Sequence, residues 1–363
     1  MTTLLKVHDL RVTFPTGSAL VARLRRRPRP TVVAVDGVSF EVARGASVGI
    51  VGESGCGKST LARALTGLVS ITAGSINFDR TELGTRRARS TMRRIQMVFQ
   101  DPGSSLNPSR TVGQTLTELL KVHRMVPADR VRARAGELLE LVELPSSFLA
   151  AYPRRLSGGQ RQRVGIARAL ALEPDVLIAD EAVAALDVSV QASVLNLLSR
   201  LRRELGLTLL FISHDLAVVR HISERVLVMY LGRIVEDRPT ADLFVDPRHP
   251  YTIALMAAAP RMGVRKRSGE AALQGEPPGL FEIPSGCRFH PRCPIAQPIC
   301  DEVDPALIGP SEEQRAACHF AWTAPSSGPV SGASDATTRV DGGHGTTSTR
   351  DRDGDTRRET FRR

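Results

Sequence analysis

The run Gly52-Glu53-Ser54-Gly55-Cys56-Gly57-Lys58-Ser59 limits the possible folds of this chain more than any other stretch. It follows the apolar residues 47–51 directly and precedes a helical pattern over residues 58–68. Strand, glycine loop and helix, in that order, predict a buried strand that ends at a bound phosphate. The glycines let successive backbone N–H groups turn inward around phosphate oxygens, and the helix N-terminus adds the positive end of its dipole. In such a loop Lys58 reaches the β- and γ-phosphates and the Ser59 hydroxyl ligates Mg²⁺, with Thr60 as a further contact.

A phosphate loop alone is shared by many nucleotide-hydrolysing classes. Further motifs narrow the choice because they follow in one fixed order. Gln100 comes after the apolar residues 95–99, and Leu156-Ser157-Gly158-Gly159-Gln160 lies beyond it. The apolar run 176–179 ends in Asp180-Glu181, Ala185-Leu186-Asp187 comes next, and residues 209–213 form another buried run ending at His214. Singly, each has a bland reading, and Ser-Gly-Gly is by default a turn. In this order they resemble the ATP-binding-cassette (ABC) ATPases: P-loop, Q-loop, signature, Walker B, D-loop and switch histidine.

The resemblance assigns roles that suit phosphoryl transfer to water, where catalysis is mostly positioning and charge neutralisation. Asp180 would hold Mg²⁺ through its water shell, and Glu181 would act as general base. Gln100 would contact Mg²⁺ and the attacking water, and His214 would bond the γ-phosphate and hold Glu181 in place. Ser157 and Gly159 open a helix over residues 159–170, so with Gly158 and Gln160 they offer an anion site. In the family that anion is the γ-phosphate bound to a partner subunit, which makes the site composite, with Asp187 at the junction. Relatives usually carry proline where this chain has Ala182 and serine where it has Ala184; neither change removes a catalytic group. The aromatic residue that stacks on adenine is also displaced. Between Phe14 and Phe40 there is no Phe, Tyr or Trp, and the aligned position falls near Arg29. Either Phe14 folds across, or an arginine stacks, or the basic run is a solvated insertion.

At 363 residues the chain exceeds one ordinary domain. No apolar run reaches the roughly 20 residues that a membrane-spanning helix needs. The start, Met1-Thr2-Thr3-Leu4-Leu5-Lys6-Val7, lacks the regions of a signal peptide, so a cytoplasmic location is expected. The net charge of +11 comes largely from arginine runs at residues 23–29, 86–94 and 261–267. Such charge suits nucleic acid or an anionic membrane face. Aromatic residues make up only 4% and none interrupts these runs, which argues against a stacking platform for single strands.

The patterning predicts an α/β fold of the ABC ATPase type: a RecA-like parallel core, an antiparallel β subdomain and a helical subdomain, followed by a small cysteine-rich module. Residues 4–14, 32–42 and 47–51 read as strands. Val131, Ala135, Leu138, Leu139 and Val142 form one apolar stripe inside the helical stretch. The expected division is an ATP-binding domain over residues 1–238 with its helical subdomain at about 104–170, a C-terminal module over 239–322, and a disordered tail over 323–363.

Within the superfamily, residues 4–322 resemble the F-type ATPase subunits of oligopeptide and dipeptide importers. The residues that carry this are Val98-Phe99-Gln100-Asp101-Pro102, Ser104-Ser105-Leu106-Asn107-Pro108, Asp187-Val188-Ser189-Val190-Gln191, His214-Asp215-Leu216-Ala217 and His249-Pro250-Tyr251. The resemblance implies a second ATPase subunit (a heterodimer), two transmembrane permeases docked at the loop after Gln100, an extracytoplasmic solute-binding protein, and a place on the cytoplasmic face of the membrane. Related importers carry peptides, nickel or other small solutes. A rival class is a soluble ABC ATPase acting on nucleic acid, but this chain has neither a second cassette nor a long coiled-coil insert. Four of the five cysteines, Cys287, Cys293, Cys300 and Cys318, lie in the last module with spacing C-x5-C-x6-C-x17-C, which matches neither zinc ribbons nor zinc fingers. The importer ATPases share this set and some hold a [4Fe–4S] cluster on it, which four thiolates suit. Zinc, with His290 or His319 among its ligands, and unligated thiols are the alternatives.

Overall fold

The computed structural model describes residues 2–17, 29–84, 87–100, 106–258, 275–276, 278–279 and 282–322. The arginines at 23–27 and 261–267, the docking-loop residues 101–105 and the tail at 323–363 lie outside the described residues.

Strands β1 (Thr3–Pro15) and β2 (Thr31–Ala43) form a long antiparallel pair, and β3 (Ser47–Val51) then enters a second sheet. After the glycine loop and helix α1 (Lys58–Thr66), β4 (Ala73–Phe78) and β5 (Thr81–Glu82) return to the first sheet, giving it the order β2-β1-β4-β5. Helix α2 (Arg89–Arg94) leads to β6 (Ile95–Val98). The helical stretch comprises α3 (Val112–Val122), α4 (Val131–Leu141) and α5 (Gly158–Leu170). The core resumes with β7 (Val176–Asp180), α6 (Val188–Leu205), β8 (Thr208–Ser213), α7 (Leu216–Ile222), β9 (Arg225–Tyr230) and β10 (Arg233–Pro239). Helices α8 (Thr240–Val245), α9 (Pro250–Ala258) and α10 (Pro298–Glu302) precede the short strands β11 (Ile308–Ser311) and β12 (Gln314–Ala316).

The second sheet runs β11-β12-β10-β9-β3-β8-β7-β6, and its five strands β9, β3, β8, β7 and β6 are parallel. Strands β3, β7 and β8 are buried along their whole length, which is why they read as continuous apolar runs. Their side chains alternate between two cores. Ile50, Ile178, Ile212 and Met229 pack with Leu61 and Leu65 of α1, whereas Val51, Leu177, Phe211 and Val228 pack with Leu139, Val164 and Leu198. The predicted stripe of α4 is buried throughout, so the helical stretch shares the second core.

Two arginines of the basic run at 86–94 are internal ties. Gly67, at φ 79°, ends α1 two residues earlier than the sequence pattern suggests. Arg87 donates to the Leu65 carbonyl and to the Ala64 carbonyl (2.6 Å), which also accepts from Gly67 N–H (3.1 Å), so it ties the last turn of this helix. Arg94 bridges Asp79 (2.6 Å) and Asp175 (2.5 Å) and lies over the Phe78 ring.

Strand β12 pairs antiparallel with β10, so the C-terminal residues extend the main sheet. The fully buried Asp237 accepts from Arg225 (2.6 and 2.5 Å) and Arg315 (2.6 Å) across this junction. Glu236, equally buried, accepts from the backbone N–H groups of Arg248 (2.8 Å) and His249 (3.0 Å). Burial pushes its carboxyl up.

Candidate active site

The glycine loop is shaped by close approach. Gly57 has φ 108°, and a Cβ there would stand 2.2 Å from the Ala34 carbonyl oxygen. Lys58 is almost fully buried and folds back over the loop, its Nζ donating to the carbonyls of Gly52 (2.8 Å) and Glu53 (2.9 Å). Those carbonyls mark a cation seat that phosphate oxygens would share. Ser54 and Gly55 are exposed at the loop's rim, while the buried Cys56 thiol is pushed up, first by its burial.

Ser59 at the start of α1 donates to Asp180 Oδ1 (3.0 Å). Burial raises the Asp180 carboxyl, the Ser59 hydrogen bond opposes this, and the neighbouring Glu181 charge adds to it. A divalent cation between Ser59 and Asp180 would relieve that cost, so the donor chemistry of this pair fits Mg²⁺. Glu181, one step past β7, holds φ 45° with its N–H bonded to Ile212 O at 2.9 Å. A left-handed glutamate is held only where surrounding structure over-determines it. Its Oε2 accepts from Gln100 Nε2 at 2.5 Å, and its Oε1 lies 3.5 Å from His214 Nδ1. Thus the ends of β3, β6, β7 and β8 bring Ser59, Gln100, Asp180, Glu181 and His214 to one edge, the usual place for a ligand in an open α/β sheet.

The remaining predicted residues lie at the starts of α5 and α6. Ser157 caps α5: its Oγ accepts from Gln160 N (3.2 Å) and its N–H donates to Gln160 Oε1 (2.9 Å). Gly159 packs on α6, where a Cβ would meet Val190 Cγ1 at 2.4 Å, and Gly158 lies against Leu186. Asp187 caps α6 and is exposed, as are Ala184, Ala185 and Val188 beside it.

The cysteines do gather. Cys287, Cys293, Cys300 and Cys318 line one cavity of about 10 Å³, with His290 and His319 at its wall. That volume holds about one water. Burial pushes the Cys293 thiol up to about 11, and the other three thiols add to the effect. His290 bonds Asp301 (2.6 Å) and the Cys287 carbonyl (2.9 Å), and His319 bonds the Val303 carbonyl (2.9 Å), so both rings are engaged elsewhere. Among the described residues no group of three or more His, Cys, Asp or Glu is arranged to hold a metal ion. The expected [4Fe–4S] cluster therefore finds its donor types lining one cavity, but they are not arranged as a ligand cage.

Three side chains at the glycine loop escaped the sequence reading of the site. Arg292 pairs with Glu53 (2.7 and 3.0 Å), Tyr251 Oη accepts from Glu53 N–H (2.8 Å), and Tyr230 Oη accepts from Arg292 (3.3 Å). Tyr230, in Val228-Met229-Tyr230-Leu231-Gly232, and Tyr251, in the His-Pro-Tyr turn, lie in runs that carry the importer resemblance, whereas Arg292 had no local signal.

The sheet, the glycine loop and the acid pair define an ATP-hydrolysing cassette. An ABC transporter family profile matches residues 35–184, and one for the oligopeptide/dipeptide transporter C-terminal region matches residues 235–300. The chain is 49% identical over 319 residues to the probable peptide ABC transporter ATP-binding protein y4tS of Sinorhizobium fredii, covering 87% of this chain and 89% of the relative. It is 47% identical over 325 residues to the oligopeptide transport ATP-binding protein AppF of Bacillus subtilis, covering 88% and 97%. Among solved structures, the dimeric cassette MJ0796 bound to ADP and Pi aligns with TM-score 0.56 at 29% identity, over 65% of this chain and 99% of that one. The cbiO1 cassette of Clostridium perfringens gives TM-score 0.56 at 29% identity, over 67% and 91%. The chain belongs to the family of peptide ABC transporter ATP-binding proteins.

Proposed function

We propose that this chain is the ATP-hydrolysing subunit of a peptide importer, working at the cytoplasmic face of the membrane. The observation that carries the reading is the succession of an ABC cassette and the oligopeptide/dipeptide C-terminal region in one chain. In this reading Lys58 and the glycine loop hold the triphosphate, Ser59, Asp180 and Gln100 hold Mg²⁺, Glu181 is the base, and His214 orients it. The start of α5 at Ser157–Gln160, where Ser157 is exposed, and the exposed Asp187 complete the site of a partner cassette, which is in keeping with the dimeric cassette it resembles. The partner is a homologous second ATPase subunit, and two permeases and a solute-binding protein complete the assembly. No helix among the described residues is long and apolar enough to cross a membrane, which suits a subunit that relies on permeases for the passage itself. A boundary near residue 238 divides the cassette from the C-terminal module, although both contribute strands to one sheet.

Uptake of labelled di- and oligopeptides by vesicles carrying the whole transporter tests the substrate. ATP-dependent uptake that stops with Glu181→Gln is expected; uptake of nickel or another small solute in place of peptides would move the assignment within the family. Recovery of the chain on nucleic acid and free of permeases would favour the soluble class, against which Arg87 and Arg94 are already engaged inside the fold.

The four cysteines would hold a structural metal centre, an iron–sulfur cluster foremost; the convergence of four thiols on one cavity supports it. When bound, such a centre contributes folding energy to a loop-rich module. Anaerobically purified protein should be brown with about four irons per chain, and Cys293→Ser should bleach it. Colourless protein with one zinc per chain, or with no metal, would refute the cluster.

A further inference from the structure

The importer reading treats the C-terminal module as an appendage to the cassette, yet its residues meet the phosphate loop at one point. Glu53, the residue after Gly52, is gripped from outside the loop twice. Arg292 donates Nη1 to Glu53 Oε2 (2.7 Å) and Nη2 to Oε1 (3.0 Å), a two-pronged pair in which the Arg292 side chain is only 5% exposed. Tyr251 Oη accepts the Glu53 backbone N–H at 2.8 Å. The Glu53 carbonyl in turn accepts from Lys58 Nζ at 2.9 Å. Glu53 thus connects the C-terminal module directly to the lysine of the loop.

The module side of this contact is rigid. Tyr251 and Phe289 of the module pack with Tyr230 of the cassette strand β9; all three are almost fully buried, with ring centroids 4.6 to 5.4 Å apart. Arg292 ends the 3-10 turn His290–Arg292, one residue before Cys293. Arg288, after Cys287, pairs with Asp36 and donates to the Leu231 carbonyl. Each cysteine of this pair is therefore next to an arginine anchored on the cassette.

A glutamate inside a phosphate-binding loop is an electrostatic liability, because its carboxylate repels the triphosphate that the loop must accept. We propose that Arg292 is a positioning residue of the ATP site: it neutralises Glu53 and, with Tyr251, fixes the loop, so that nucleotide affinity depends on the C-terminal module. This rests on the reading that the loop binds ATP.

The test is ATP affinity and turnover of the full chain carrying Arg292→Ala, Glu53→Gln or both, with Lys58→Ala measured alongside. Arg292→Ala exposes an unneutralised carboxylate to the phosphates, so ATP affinity should fall about tenfold with kcat changed less than about twofold. Adding Glu53→Gln removes the repelling charge and should restore most of that affinity, a rescue that loss of module structure alone cannot produce. Arg292→Lys retains the charge but loses the two-pronged geometry, so it should weaken ATP binding by less than the alanine variant does; it serves as the readout if the alanine variant does not fold. Unchanged affinity in Arg292→Ala, a double variant as weak as the single one, or Arg292→Lys weakened tenfold would overturn the proposal. If Lys58→Ala also left ATP affinity unchanged, the failure would belong to the ATP reading itself.

Discussion

Glu181→Gln is expected to lower ATP turnover by at least about 10²-fold while ATP binding survives, since a positioned general base contributes about 10²–10⁴-fold. The substitution removes the proton acceptor and little else. Gln100 Nε2 donates to Glu181 Oε2 at 2.5 Å, and a glutamine carbonyl oxygen still accepts that bond, though more weakly than a carboxylate. The left-handed backbone at residue 181 and its bond to Ile212 do not involve the side chain. With the phosphate contacts intact and hydrolysis blocked, the variant should accumulate ATP-bound dimers visible by size-exclusion chromatography. Turnover close to the parent protein would remove Glu181 from the catalytic assignment.

Lys58→Ala acts on the other half of the chemistry and should abolish tight nucleotide binding. Its ammonium is only 3% exposed and is aimed into the loop by the Gly52 and Glu53 carbonyls. Removing it withdraws a desolvated positive charge from the phosphate seat and leaves those carbonyls without their donor. Hydrogen bonds to charged groups contribute about 1.5–3 kcal/mol, so affinity should fall roughly 10- to 100-fold. Titration calorimetry with MgATP checks it, and an unchanged dissociation constant would count against the loop as the nucleotide site.

The catalytic edge was legible because its signals are local. Asp180, Glu181 and His214 each end or follow a strand buried along its whole length, and Gln100 lies two residues past the half-buried β6, so an apolar run and the polar residue after it announce the strand and its functional end together. The α4 stripe was legible for the same reason, with Val131, Ala135, Leu138, Leu139 and Val142 all inside.

What escaped depends on contacts between distant segments. Arg292 and Glu53 are separated by 239 positions, and an arginine beside a cysteine looks like any other charge until the fold seats it on the loop. Strand β11 is exposed along its length and short, so no period marked it as an edge of the main sheet. Arg87 and Arg94 belonged to a run that suggested a polyanion surface, but one caps a helix end and the other ties two aspartates. The ligand set of the four cysteines came from the family resemblance, and their spacing carried no information on how these segments come to line one cavity.

The central claim is an ATPase whose complete site needs a second cassette: in the proposed function the site of Ser59, Asp180 and Glu181 is completed by the Ser157 and Asp187 region of that cassette. The most direct measurement is the rate of ATP hydrolysis per chain as a function of protein concentration, with Glu181→Gln as the blank. The account predicts a rate per chain that climbs steeply with concentration from near the blank at high dilution, and rises further when the homologous partner subunit is added. Rapid hydrolysis at a constant rate per chain by a dilute monomer would contradict it.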